Sequence, residues 1–65
     1  MENPIVEAIP TGLYPIGKAA QILGIDRGTL RRKTTEGLIK CQYRRGTGRK
    51  VYKGSEIIRF HESHM

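Results

Sequence analysis

With one cysteine (Cys41), no tryptophan and four aromatic side chains in 65 residues, this chain has few means of stapling or filling a core. A lone thiol closes no internal disulfide, so a reducing, cytoplasmic compartment is expected. No apolar run approaches the roughly 18 residues of a bilayer span, and no basic-then-apolar leader opens the chain; no membrane partner is predicted. A domain this small buries only about 60% of its unfolded surface, too little to enclose a substrate pocket. The sequence shows no Ser-His-Asp or Cys-His pattern and no carboxylate pair suited to a cleft, so neither catalysis nor a cofactor is expected. A hydrophobic content of 37% is still too high for a wholly disordered chain.

Acidic residues are also scarce, six against twelve Lys and Arg, and the imbalance is local. Residues 27 to 53 hold ten of the basic side chains and a single acid, Glu36, giving that stretch a charge of +9. Residues 1 to 26 carry −2 and residues 54 to 65 carry −1. A block of one sign builds a field that attracts polyanions, which points to nucleic acid as partner. A solvated basic face without a partner is the plainer alternative. An anionic membrane surface fits less well, because no Trp- or Phe-bearing apolar helix face backs the cations.

Along the chain, residues 1 to 13 have no helical period and are broken by Pro4, Pro10 and Gly12. They read as an extended N-terminal arm that packs through Ile5, Val6 and Ile9 if it packs at all. A domain over residues 14–61 follows, with residues 62–65 as a tail. Pro15 suits a first helical turn, and Ile16, Ala19, Ala20 and Leu23 recur at helical spacing. Gly24 ends that helix, Asp26 caps the next, and Arg27 to Glu36 forms a second helix stopped by Gly37. Two short helices about a tight turn, with Leu23, Ile25 and Leu30 at the corner, make a helix-turn-helix.

Beyond Gly37 the period becomes two. Ile39, Cys41 and Tyr43 alternate with Lys40, Gln42 and Arg44 as in a half-buried strand. Arg45-Gly46-Thr47-Gly48 supplies a turn with a flexible tip, and Arg49 to Lys53 returns as a partner strand. Gly54 or Ser55 then opens a last helix bearing Ile57, Ile58 and Phe60. The fold class is therefore mainly α with a small β-hairpin: a winged helix-turn-helix with a closing helix.

Other patterns are weaker. Gly12 to Ala19 comes within one residue of a nucleotide-binding P-loop, but Ala19 lacks the magnesium-binding hydroxyl and Pro15 removes a cradle N–H. Cys41, His61 and His64 are zinc-type ligands without a fourth, so no metal is predicted. Cys41 reads as a small core residue. Tyr43 and Tyr52 read as strand tyrosines covering the core rather than as base-stacking groups.

The run Thr29-Leu30-Arg31-Arg32-Lys33-Thr34-Thr35-Glu36-Gly37-Leu38-Ile39 resembles the Thr-Leu-Arg-Tyr-Tyr…Gly-Leu-Ile run of MerR-like DNA-binding domains. Ile16 to Ile25 is similar to their first helix, and Gly48-Arg49-Lys50-Val51-Tyr52 followed by Glu56-Ile57 to their wing and closing helix. The resemblance spans roughly residues 14 to 60. Within the superfamily, the small size and the Arg31-Arg32 pair are most similar to phage and mobile-element excisionases. The chain departs from the pattern at Lys18, where members usually carry an acid, and at Arg32 and Lys33, where an aromatic is usual. It also ends before the long dimerisation helix and effector site of MerR regulators proper.

A helix of this kind fits the major groove of double-stranded DNA with its first two turns facing base edges. Arg27, Thr29, Arg31 and Lys33 fall near the outer surface of the second helix, while Leu30 points inward. Arg27 and Arg31, four apart, share a face, and either has the planar fork that reaches a guanine edge by two hydrogen bonds. Arg32 and Lys33 suit phosphate. In the wing, Arg44, Arg45, Arg49 and Lys50 surround a tip sized to follow a backbone or enter a minor groove. The resemblance implies a recombination directionality factor, nucleoid-associated, that loads on repeated sites, associates with itself there and bends DNA for an integrase. A small transcriptional regulator of the same fold, or a DNA-binding adaptor in a packaging or replication complex, are the alternatives.

Overall fold

The structure, a computed structural model, describes residues 8–64. Strand β1 (Leu13–Pro15) leads into helix α1 (Ile16–Leu23), helix α2 (Arg27–Thr35), strands β2 (Gln42–Tyr43) and β3 (Lys50–Lys53), and helix α3 (Gly54–His64). Pro15 is the N-cap of α1, at φ −66° and ψ 163°, values its ring already favours. Ala19, Ala20 and Leu23 form the buried stripe of α1.

Both early helices end the same way. Gly24 at φ 75° donates its N–H to Gln21 O at 3.1 Å, and Ile25 N–H donates to Ala20 O at 3.0 Å. Gly37 at φ 83° donates to Thr34 O at 3.0 Å, and Leu38 N–H to Lys33 O at 3.0 Å. This paired pattern satisfies orphan carbonyls and requires the left-handed backbone that glycine supplies without strain. It also delivers Ile25 and Leu38 onto the edge of the core. Asp26 caps α2: its Oδ2 accepts the Thr29 N–H at 3.0 Å and its Oδ1 the Thr29 hydroxyl at 2.6 Å.

Leu30 is the buried residue of α2, at 0% exposure, so this polar helix is fixed through one apolar anchor. The core around it holds Ala19, Ala20, Leu23, Ile39, Tyr52, Ile57 and Phe60. The Tyr52 hydroxyl lies 2.7 Å from Thr34 Oγ1, which donates to Leu30 O at 2.8 Å. Burial raises the Tyr52 phenol above its ordinary value of 10.0, against the lowering effect of the Thr34 hydrogen bond.

The sheet has three strands, in the order β1-β3-β2, all antiparallel. Leu13 faces Lys53, Tyr14 faces Tyr52 and Pro15 faces Val51, which adds a strand where an unpaired arm through residue 13 was expected. The turn before it is also tied down. Gly54 N–H donates to Gly12 O at 2.8 Å and Ser55 N–H to Pro10 O at 2.9 Å, so the backbone of residues 10 and 12 caps α3. Tyr14 Oη accepts the Ile9 N–H at 2.7 Å, while the Ile9 side chain is exposed rather than packed. Ile5 and Val6 lie outside the described residues.

Two other expectations need correction. Regular pairing in β2 covers Gln42 and Tyr43 alone, although Ile39 is buried and Cys41 packs at the core margin. Tyr43 is 65% exposed, not a core residue, because the edge strand ends there opposite Lys50. Tyr52, on the central strand, is fully buried as expected.

Glu56 locks α3 to the turn after α2. It accepts from Arg59 at 2.8 and 3.2 Å and from Lys40 N–H at 3.2 Å, while Arg59 also donates to Leu38 O at 3.1 Å. The Arg59 hydrogen bonds hold the Glu56 carboxyl below its usual 4.5, and the Thr29 hydroxyl does the same for Asp26 below 3.8. Groups with folded values below their unfolded ones stabilise the fold above the unfolded value and lose that contribution as pH falls through the folded one. The melting temperature should therefore drop on acidification below about pH 4 to 5. Combining Asp26→Asn with Glu56→Gln should flatten that drop; thermal melts across pH check it.

Candidate nucleic-acid interface

Helix α2, nine residues and about 13 Å long, has the size of a major-groove reader. Arg27 and Arg31 are exposed one turn apart on it. Across from them the wing turn is closed by Arg44 N–H to Arg49 O and Gly48 N–H to Arg44 O, both 2.8 Å. Thr47 Oγ1 accepts the Arg49 N–H at 3.2 Å. Gly46 at φ 93° and Gly48 at φ 71° provide the left-handed steps the turn needs.

Between helix and wing lies a cleft of about 630 Å³. Of the residues expected to contact DNA, Arg27, Arg31, Arg49 and Lys50 meet there. Arg32, Arg44 and Arg45 are exposed but outside it, on the helix flank and the wing tip. Lys33 is half-buried with its Nζ 4.0 Å from Glu36 Oε1. Thr29, its hydroxyl and N–H both given to Asp26, is engaged as part of the helix cap.

One residue that patterning did not assign to the site lines the cleft, and another stands beside it. Lys18 lines the cleft from α1. It stands outside the basic block of the sequence, so only the packing of α1 beside α2 reveals it. Tyr43, exposed and paired with the cleft residue Lys50, presents a ring and a hydroxyl at the root of the wing. Its position in an alternating apolar run argued for the core; the signal that could have exposed it is the nearness of the turn.

Among the described residues, no group of three or more His, Cys, Asp or Glu side chains is arranged to hold a metal ion. No helix there is long and apolar enough to cross a membrane. The Gly12-to-Ala19 segment is strand β1 running into α1.

Comparison with curated proteins and with solved structures gives no match. A family model described as "MerR HTH family regulatory protein" does match, over residues 14–62. That span takes in both helices of the corner and the wing, which build the cleft, together with most of α3. With some three-quarters of its length covered by that match, the chain belongs to the MerR helix-turn-helix family and is a DNA-binding domain of that type.

Proposed function

We propose that the protein binds duplex DNA sequence-selectively, laying α2 in the major groove and the wing along the adjoining backbone. The convergence of Arg27 and Arg31 with Arg49 and Lys50 on one cleft is the observation that carries this reading. Arg31 is the reader of base edges: it is exposed on α2, directly after the buried anchor Leu30, on a rigid element. Arg32, Lys33, Arg44, Arg45, Arg49 and Lys50 hold phosphate.

In its biological setting the protein is an accessory factor of recombination, which loads on repeated sites, self-associates there and bends DNA for an integrase. The Arg31-Arg32 pair within the family run supports this. A transcriptional regulator is the second reading, supported by the description of the matched family. Footprinting on the DNA flanking the gene separates them. Repeated sites beside a recombinase attachment site support the first, and a single operator over a promoter supports the second.

Binding is expected to be strongly salt-dependent. With about 5 to 7 phosphates neutralised, log K against log salt should slope at roughly −4.5 to −6. Arg31→Ala should cost about 1–3 kcal/mol more on the preferred site than on scrambled duplex. Arg49→Ala should weaken both alike and flatten the slope by about one unit. Paired competition titrations measure this, and a specificity ratio lost with Arg49 but kept without Arg31 would make the wing the reader.

A further inference from the structure

Lys18 belongs to α1, yet it lines the same cleft as Arg27, Arg31, Arg49 and Lys50. Five cations from both helices and the wing thus surround one concave volume, and among the described residues no acid lines it. Like charges held around a cleft raise one another's energy until an anion enters. Gly17 adds a geometric constraint. A Cβ at Gly17 would stand 2.7 Å from Arg27 Nη2, 3.0 Å from Nε and 3.1 Å from Cζ. The guanidinium therefore lies flat against the first turn of α1, in space that any side chain at residue 17 would occupy.

Building on the DNA-binding reading, we propose that this cleft seats one backbone phosphate of the bound duplex. Lys18 and Arg27 contact that phosphate together, and Gly17 acts through Arg27 by leaving open the space in which its guanidinium lies. Arg suits this task because its planar fork can give two hydrogen bonds to one phosphate, and Lys18 adds a point charge. The cleft thereby registers α1 against the same strand that the wing follows, which fixes the angle at which α2 enters the groove.

The test uses duplexes of the preferred site in which single phosphates are replaced, one position at a time, by neutral methylphosphonate. Wild-type protein should show a position where neutralisation weakens binding by roughly 3- to 10-fold. Lys18→Ala should lose part of that factor on unmodified DNA, flatten the salt slope by about one unit, and respond less than the parent to methylphosphonate at that position, while the Lys18→Ala, Arg27→Ala double variant should not respond there at all. Gly17→Ala should melt no lower than the parent, since alanine suits a helix better than glycine, yet bind several-fold more weakly. In an Arg27→Ala background the Gly17 change should have no further effect. Full affinity in Lys18→Ala, sensitivity undiminished at every phosphate in the double variant, or a Gly17 effect independent of Arg27 would each overturn the proposal. If the wild-type chain bound no duplex at all, the DNA-binding reading itself would fail, a result distinct from a silent Lys18.

Discussion

Gly54→Ala is expected to remove a large share of the protein's stability. A Cβ at this position would run into the carbonyl of Ile9, a backbone group that cannot swing aside as a side-chain tip would. The turn over residues 9 to 12 must then move away, breaking the hydrogen bonds from Gly54 to Gly12 and from Ser55 to Pro10. Overpacking of this kind costs about 1–3 kcal/mol, and the two lost hydrogen bonds add about 1 kcal/mol each. The better helix propensity of alanine returns less than about 1 kcal/mol. A net loss of about 2–4 kcal/mol compares with a total stability on the order of 3–10 kcal/mol for a chain this short. Chemical denaturation followed by circular dichroism measures it. A midpoint equal to the parent's would mean that the turn does not rest on α3.

Leu30→Ala should be as damaging for a different reason. The side chain is fully buried among Ala19, Leu23, Tyr52 and Phe60, and α2 buries no other residue. Truncation leaves a cavity and costs about 2–5 kcal/mol. It also releases the helix that carries Arg27 and Arg31, so duplex binding should vanish together with the far-ultraviolet helical signal. Leu30→Met, which conserves volume, should keep both to within about 1.5 kcal/mol. Equal melting of Leu30→Ala and the parent would place another residue at the pivot.

What could be read from the chain was what its local chemistry decides. Gly24 and Gly37 stop helices because only glycine takes that backbone cheaply, and Asp26 starts one because its carboxylate reaches Thr29. Leu30 stands out as the apolar residue of an otherwise polar helix. Strand β1 was not readable: three residues ending in proline signal little, and the partner strand lies some forty positions away. The exposure of Tyr43 depends on where a two-residue strand stops, which alternation does not encode. Half of the cleft was legible as a run of charge. The membership of Lys18 was not, since two helices must pack before it meets Arg27 and Arg31.

The capping of α3 by the turn before β1 also fixes how the molecule comes to exist in time. Helices of eight and nine residues do not persist alone in water. Their support, β3, gains its neighbour β1 only when Leu13 meets Lys53, a closure of about forty residues that repays nothing until it is complete. The two-helix corner therefore cannot mature early and wait. Folding is expected to be a single cooperative event, and a protease cut between β1 and β3 but outside α2, at the wing tip for example, is expected to loosen α2 without touching it.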